Sequence, residues 1–161
     1  SKVHRIPGCE LWLDVVSKYH QTKSFYLIGS AQNTIDATIK KLRLEFRGIK
    51  ICNYRNGYIK SKDEEAELAR DIVRHQPDIV FVAMGSPKQE LFMMRLQQHH
   101  QALYQGLGGS FDVYTDTVKR APTWWLRHNL EWAYRLIKQP FRIKRQIHLI
   151  RFFCKLHLNQ Y

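Results

Sequence analysis

The strongest constraint on the fold is the run Asp78-Ile79-Val80-Phe81-Val82-Ala83, which empties directly into Met84-Gly85-Ser86-Pro87-Lys88-Gln89-Glu90. A strand followed by Gly-Ser-Pro and a helix start places main-chain N–H groups, Lys88 and Gln89 at the carboxyl edge of a sheet. Open α/β folds bind ligands at that edge. The stretch therefore predicts an anion site. Around it, residues 1–120 alternate apolar runs with amphipathic stretches, the pattern of a parallel sheet covered by helices on both faces. The spacing predicts strands over 24–29, 48–53, 78–84 and 102–107, and helices over 10–19, 33–46, 62–75 and 87–99. Ile35, Ile39, Leu42 and Phe46 fall on one side of the second helix. Ser61-Lys62-Asp63-Glu64-Glu65 opens the third, with acids where the helix dipole favours them.

A chain of 161 residues with 44% hydrophobic content is long enough to bury a core. Its 26 basic and 14 acidic residues leave a net charge of +12, which implies a polyanionic partner: phosphodiesters, nucleic acid or an anionic bilayer. Cys9, Cys52 and Cys154 show no ligand or redox spacing, so reduced thiols in a cytosolic compartment are expected. No apolar run approaches the roughly 18 to 20 residues of a membrane span, and the start lacks the pattern of a secretion signal. His4 and His99-His100 read as solvated, and no metal site is expected.

From Arg120 the composition changes. Trp124, Trp125, Trp132 and Tyr134 crowd together, and after Glu131 no acidic residue follows. Helices are expected over 130–138 and 141–159. On the last of them Lys144, His148, Arg151 and Lys155 form a basic row beside Leu149, Phe152, Phe153 and Leu156. Residues 121–161 thus read as a basic amphipathic helical appendage to an α/β domain at 1–120. Bulky apolar residues opposite the basic row favour an anionic lipid surface over nucleic acid, with Trp124, Trp125, Lys144, Arg151, Phe152 and Lys155 as membrane contacts. The Trp cluster is otherwise packing of the appendage on the domain or on a neighbouring subunit of a homo-oligomer.

Each loop has a plainer alternative. Gly85-Ser86-Pro87 is also an ordinary strand-to-helix turn with Pro at the first helical position. Glu90 suits a first turn, whereas Gln89 has no evident structural task and could hydrogen-bond a sugar or phosphate. Leu107-Gly108-Gly109-Ser110-Phe111-Asp112 likewise follows a strand. Its paired glycines allow backbone to approach a ligand, and Asp112 either accepts from a ribose hydroxyl or base N–H, or caps the next helix. In Asn56-Gly57-Tyr58 the first two residues are a turn signal and Tyr58 could stack on a base. None of these loops fits the dinucleotide or P-loop fingerprints, which weighs against NAD and ATP chemistry.

Three segments together carry a resemblance. They are Ala83 through Glu90, Gly108-Gly109-Ser110-Phe111-Asp112-Val113, and Val118-Lys119-Arg120-Ala121-Pro122 with Leu130-Glu131-Trp132-Ala133-Tyr134-Arg135-Leu136 and Pro140-Phe141-Arg142-Ile143-Lys144-Arg145. In that order the chain resembles the WecG/TagA/CpsF glycosyltransferases, glycosyltransferase family 26, and its wording is closest to the WecG branch. The resemblance implies a Rossmann-like domain and, with inversion expected, transfer of N-acetylmannosaminuronic acid or N-acetylmannosamine from UDP. The implied acceptor is undecaprenyl-diphosphate-linked N-acetylglucosamine at the inner face of the cytoplasmic membrane, in enterobacterial common antigen or related polysaccharide synthesis. No cofactor is implied. Gln89 falls on the family's active-site glutamine, Asp112 and Tyr58 on nucleotide contacts, and Arg142 on a catalytic tail arginine with Arg135 and Arg145 as companions. Gly57, Gly85, Ser86, Lys88, Gly108 and Gly109 join them in holding nucleotide and diphosphate. Guanidinium and N–H groups would stabilise the charge that develops on the departing diphosphate. Asp116 and Asn129 stand where the family usually has Gly, and the family's proposed catalytic aspartate lies in an N-terminal part not contained in these 161 residues. The same residues on a catalytically silent chain would serve as a membrane or nucleic-acid binding module, or as a nucleotide-sugar-binding regulator.

Overall fold

The computed structural model describes residues 8–116 and divides the chain into compact units at 1–118 and 119–161. In the first unit the order is α1 (Gly8–Tyr19), β1 (Ser24–Gly29), α2 (Gln32–Glu45), β2 (Lys50–Arg55), α3 (Lys62–His75), β3 (Ile79–Ala83), α4 (Lys88–Gln97), β4 (Leu103–Gly106) and α5 (Ser110–Tyr114). The four strands are all parallel, in the order β2-β1-β3-β4. The α/β reading is thus confirmed. The helices and residues expected beyond 116 lie outside the described residues.

Strand alternation divides the core in two. Phe25 and Leu27 of β1, with Ile79, Phe81 and Ala83 of β3, face α1, α2 and α5. Tyr26 and Ile28, with Val80 and Val82, face α3 and α4. Both central strands are therefore apolar on both sides, which is why β3 reads as an unbroken hydrophobic run. Trp12 of α1 is fully buried and meets the rings of Phe81, Phe111 and Tyr114 edge-on. Lys41 and Glu45 of α2 hold α5 in place, through the Tyr114 carbonyl at 2.7 Å and the Tyr114 hydroxyl.

The edge strand β2 runs two residues later than its predicted span, and its pairing with β1 shifts register between Phe25 and Tyr26. The extra residue leaves Ile51 and Tyr54, three positions apart, on the same face, and turns Asn53 toward Asp71 of α3. Asp71 also accepts from the Tyr26 hydroxyl at 2.6 Å, and burial together with that carboxylate raises the Tyr26 phenol above its ordinary range. Helix α3 occupies its predicted residues. Ser61 caps it by accepting the Glu64 N–H at 3.1 Å, and Gln76 ends it in a left-handed conformation. Helix α4 begins one residue later than expected, since Pro87 is its cap and not its first helical residue. Asp116, where a glycine was expected, keeps a left-handed φ of 56°, a conformation that Asp tolerates better than most residues. His100 is half-buried, with Nε2 2.8 Å from the Pro77 carbonyl, so it is not simply solvated as expected.

The amino ends of the central strands are fastened by Asp78. Its carboxylate accepts from the Ser24 N–H at 2.8 Å, the Ser24 hydroxyl at 2.9 Å and the Lys23 ammonium at 3.1 Å. These donors, the Ser24 N–H foremost, lower the Asp78 carboxyl from 3.8 to about 2. A carboxyl depressed in the folded state stabilises the fold above its unfolded value and loses that contribution as pH falls toward the folded one. Unfolding titrations should therefore show stability declining between about pH 4 and pH 2, with a shallower decline in Asp78→Asn. Parallel curves for the two proteins would refute this assignment.

Candidate active site

All four strands point the same way, so all four following loops gather at one rim. The chain leaves β1 through α2 toward β2, and after β2 crosses to β3 on the other side of β1. The neighbours β1 and β3 thus send their chains to opposite faces. In such sheets the crevice at this reversal is the usual ligand site. Gly29, Ser30 and Ala31 lie on one side of it, and Met84, Gly85 and Ser86 on the other.

The rim loops are hydrogen-bonded into a continuous series. The Gly57 N–H donates to the Ser30 carbonyl at 2.9 Å, and the Ser30 N–H donates to the Ala83 carbonyl at 3.0 Å. The Ser30 hydroxyl lies 3.4 Å from Asp112 Oδ2, a long contact. The Asn56 amide donates to Gln32 Oε1 at 2.8 Å, while its oxygen accepts the Tyr58 N–H at 3.0 Å. This local turn holds the Tyr58 backbone and leaves its ring 62% exposed. Gln89 is buried, and its Oε1 accepts from both the Gly85 N–H at 3.2 Å and the Gly108 N–H at 2.9 Å. Read from sequence, Gln89 has no evident structural task, and the fold supplies one.

Of the residues expected from sequence, Gly57, Tyr58, Gly85, Ser86, Lys88, Gln89, Gly108, Gly109 and Asp112 all belong to rim loops or to the first turns of α4 and α5. Lys88 is exposed and Asp112 half-buried. Asp112 does not cap α5, because Gly109 occupies the cap position. Arg135, Arg142 and Arg145, with Trp124, Trp125, Lys144, Arg151, Phe152 and Lys155, lie outside the described residues. Sequence reasoning missed Ser30 and Gln32. The available signal was that Gly29-Ser30 closes a hydrophobic run in the same manner as Gly85-Ser86. Two surface grooves of about 450 and 480 Å³ flank α3 and are lined by none of the expected rim residues.

Chemically, the rim offers what a phosphorylated ligand requires. The N–H groups of Ser86, Lys88 and Gly109 donate to no main-chain carbonyl among the described residues, and Lys88 adds a cation. Asp112 is an acceptor suited to hydroxyl or base N–H groups, and Tyr58 presents an aromatic face. No helix among the described residues is long and apolar enough to cross a membrane.

Comparison with known proteins gives two findings. The family model described as the glycosyl transferase WecG/TagA/CpsF family matches residues 1–161. The chain is also 39% identical over 150 residues to an N-acetylglucosaminyldiphosphoundecaprenol N-acetyl-beta-D-mannosaminyltransferase of Bacillus spizizenii. That match covers 92% of this chain and 57% of the relative, so the chain spans little more than half the length of the protein it resembles.

The crevice can be tested without ligand. Gly29 has a φ of 140°, and a Cβ there would lie 2.3 Å from the Ala83 carbonyl oxygen, a backbone atom that cannot step aside. Gly29→Ala should lose at least about 2 kcal/mol of stability in denaturant titrations. A loss under half that would show that the strand ends separate readily.

Proposed function

Because the chain belongs to the WecG/TagA/CpsF glycosyl transferase family, we propose that it supplies the nucleotide-binding side of a hexosyltransferase that moves an N-acetylmannosamine-type sugar from UDP to undecaprenyl-diphosphate-linked N-acetylglucosamine. What supports this reading is that Tyr58, Lys88 and Asp112 each follow a strand of one parallel sheet and so belong to its carboxyl rim, in a chain 39% identical to a transferase of that kind. Tyr58 stacks on the uracil and Asp112 accepts from a ribose hydroxyl or the base. Lys88 and the neighbouring N–H groups meet the diphosphate, whose negative charge grows as the sugar–oxygen bond breaks.

The remaining charge stabilisation comes from the basic tail. Arg142, with Arg135 and Arg145, contributes guanidinium groups to the diphosphate. Trp124, Trp125, Phe152 and the basic row of Lys144, Arg151 and Lys155 hold the protein on the anionic inner face of the cytoplasmic membrane, where a polyprenyl-linked acceptor resides. The donor is N-acetylmannosaminuronic acid, as in enterobacterial common antigen synthesis, or its uncharged parent N-acetylmannosamine. A carboxylate on the donor suits the excess of positive charge.

UDP titration by calorimetry tests the nucleotide half of this reading. Saturable binding is expected, weakened about tenfold by Asp112→Asn and by Lys88→Ala, since each removes a charged partner. Absence of UDP binding would overturn it. Flotation with anionic and neutral vesicles tests the tail. Binding should require the anionic lipid and fall steeply as salt rises from about 50 to 500 mM. Transfer assays with the two donors identify the sugar.

A further inference from the structure

We infer that Gln89 is a positioning residue: its buried amide oxygen staples the loop after β3 to the loop after β4, and so sets the spacing of the groups that receive a nucleotide diphosphate. The inference rests on the proposed nucleotide site for its functional half and on hydrogen-bond geometry for the rest.

The capacity of the amide is nearly exhausted inside the protein. Gln89 is 6% exposed. Its oxygen has two acceptor sites, and both are taken, by the N–H groups of Gly85 at 3.2 Å and Gly108 at 2.9 Å. These two donors also fix which end of the amide is oxygen, since the reverse orientation would set NH₂ against two N–H groups. Nε2 donates one hydrogen to Glu90 Oε1 at 2.9 Å, so at most one N–H remains for a ligand. The main chain adds a second tie, from the Gln89 N–H to the Gly85 carbonyl at 3.0 Å. Gly85 is thus held at both its donor and its acceptor by one residue.

The opposite wall is shaped for the same amide. A Cβ on Gly106 would lie 2.5 Å from Gln89 Nε2 and 3.0 Å from Cδ, so the absence of a side chain on β4 makes the space the amide occupies. Gly85 and Gly108 both have positive φ and each is the second residue of a rim loop. The staple therefore joins two turns whose neighbours, Ser86, Lys88 and Gly109, carry N–H groups suited to phosphate. A diphosphate spans two anionic groups, so the loops must stand at a defined separation before it arrives.

The experiment combines amide hydrogen exchange, read at residue level by NMR, with UDP titration, on the full chain and three variants. Gln89→Met keeps the bulk and removes the acceptor. Gly106→Ala leaves Gln89 in place and crowds its amide. Gln89→Glu, made together with Glu90→Gln so that no carboxylate oxygen is set against the Glu90 carboxylate, retains two acceptor oxygens. Exchange at Gly85 and Gly108 should accelerate about tenfold or more in Gln89→Met and Gly106→Ala and stay slow in Gln89→Glu. UDP affinity should fall about tenfold in the first two, and remain unchanged in a control, Ile72→Val, that perturbs the core beneath α3. The inference is overturned if Gly108 exchange is unchanged in Gln89→Met. It is equally overturned if UDP affinity falls while both amides stay protected, which would make Gln89 a direct ligand contact, or if exchange accelerates with affinity intact. Should Gln89→Met fail to fold, Gly106→Ala and Gln89→Glu decide by the same criteria. If the unmodified chain binds no UDP, the proposed function and the positioning role fail, while the exchange rates still decide whether the staple exists.

Discussion

The architecture of the rim depends on one close approach, where β1 leaves the sheet beside the end of β3. Gly29 lies so near the Ala83 carbonyl that no side chain fits between them, and the next residue, Ser30, donates its N–H to the same carbonyl. This contact holds two strand ends together at the point where their chains depart in opposite directions. Left-handed φ at Ser30, 54°, turns the chain out of the strand, and the Ser30 carbonyl receives Gly57 from the neighbouring loop. A crevice between β1 and β3 therefore has a floor of paired main chain, which costs little to preserve and is stiff to deformation.

From that floor the loops on either side are tied by amides. Asn56 and Gln32 join the loop after β2 to the start of α2, and Gln89 joins the loops after β3 and β4. Both are short-range, directional contacts, and both engage residues next to those with binding chemistry, Tyr58 in one case and Lys88 in the other. The two devices are linked through Ser30, which receives the Gly57 N–H, donates its own N–H to Ala83 and places its hydroxyl 3.4 Å from Asp112.

The sheet was legible because its signals are local. The hydrophobic runs at 24–29 and 78–84 and the acid-rich start after Ser61 need no tertiary information to interpret. The shift in β2 was not legible, since an extra residue in an edge strand is decided by its pairing with β1 and by the demand of Asp71 for Asn53. The role of Gln89 was hidden for a related reason. Its partners lie in the same turn and in a loop 19 positions away, and nothing in a glutamine at a helix start announces that its oxygen will be saturated. Side-chain chemistry showed which residues could bind; only the strand order showed which loops would meet.

Charge is distributed in a way that separates recognition from attraction. Residues 119–161 hold ten of the 26 Lys and Arg residues and one of the 14 acidic ones, so +9 of the +12 resides in the final quarter of the chain. The α/β unit is close to neutral, and three of its cations are paired locally: Lys23 with Asp78, Arg55 with Glu64 and Arg95 with Glu65. A field from so balanced a surface draws in anions weakly, so the proposed diphosphate site at the rim would rely on contacts of a few ångströms and not on long-range attraction from this unit. The tail has the opposite character, a dense single-sign charge that acts over a Debye length and suits a surface more than a small ligand. The charge that signals a polyanionic partner is thus concentrated in the last 43 residues, and the α/β unit contributes little of it.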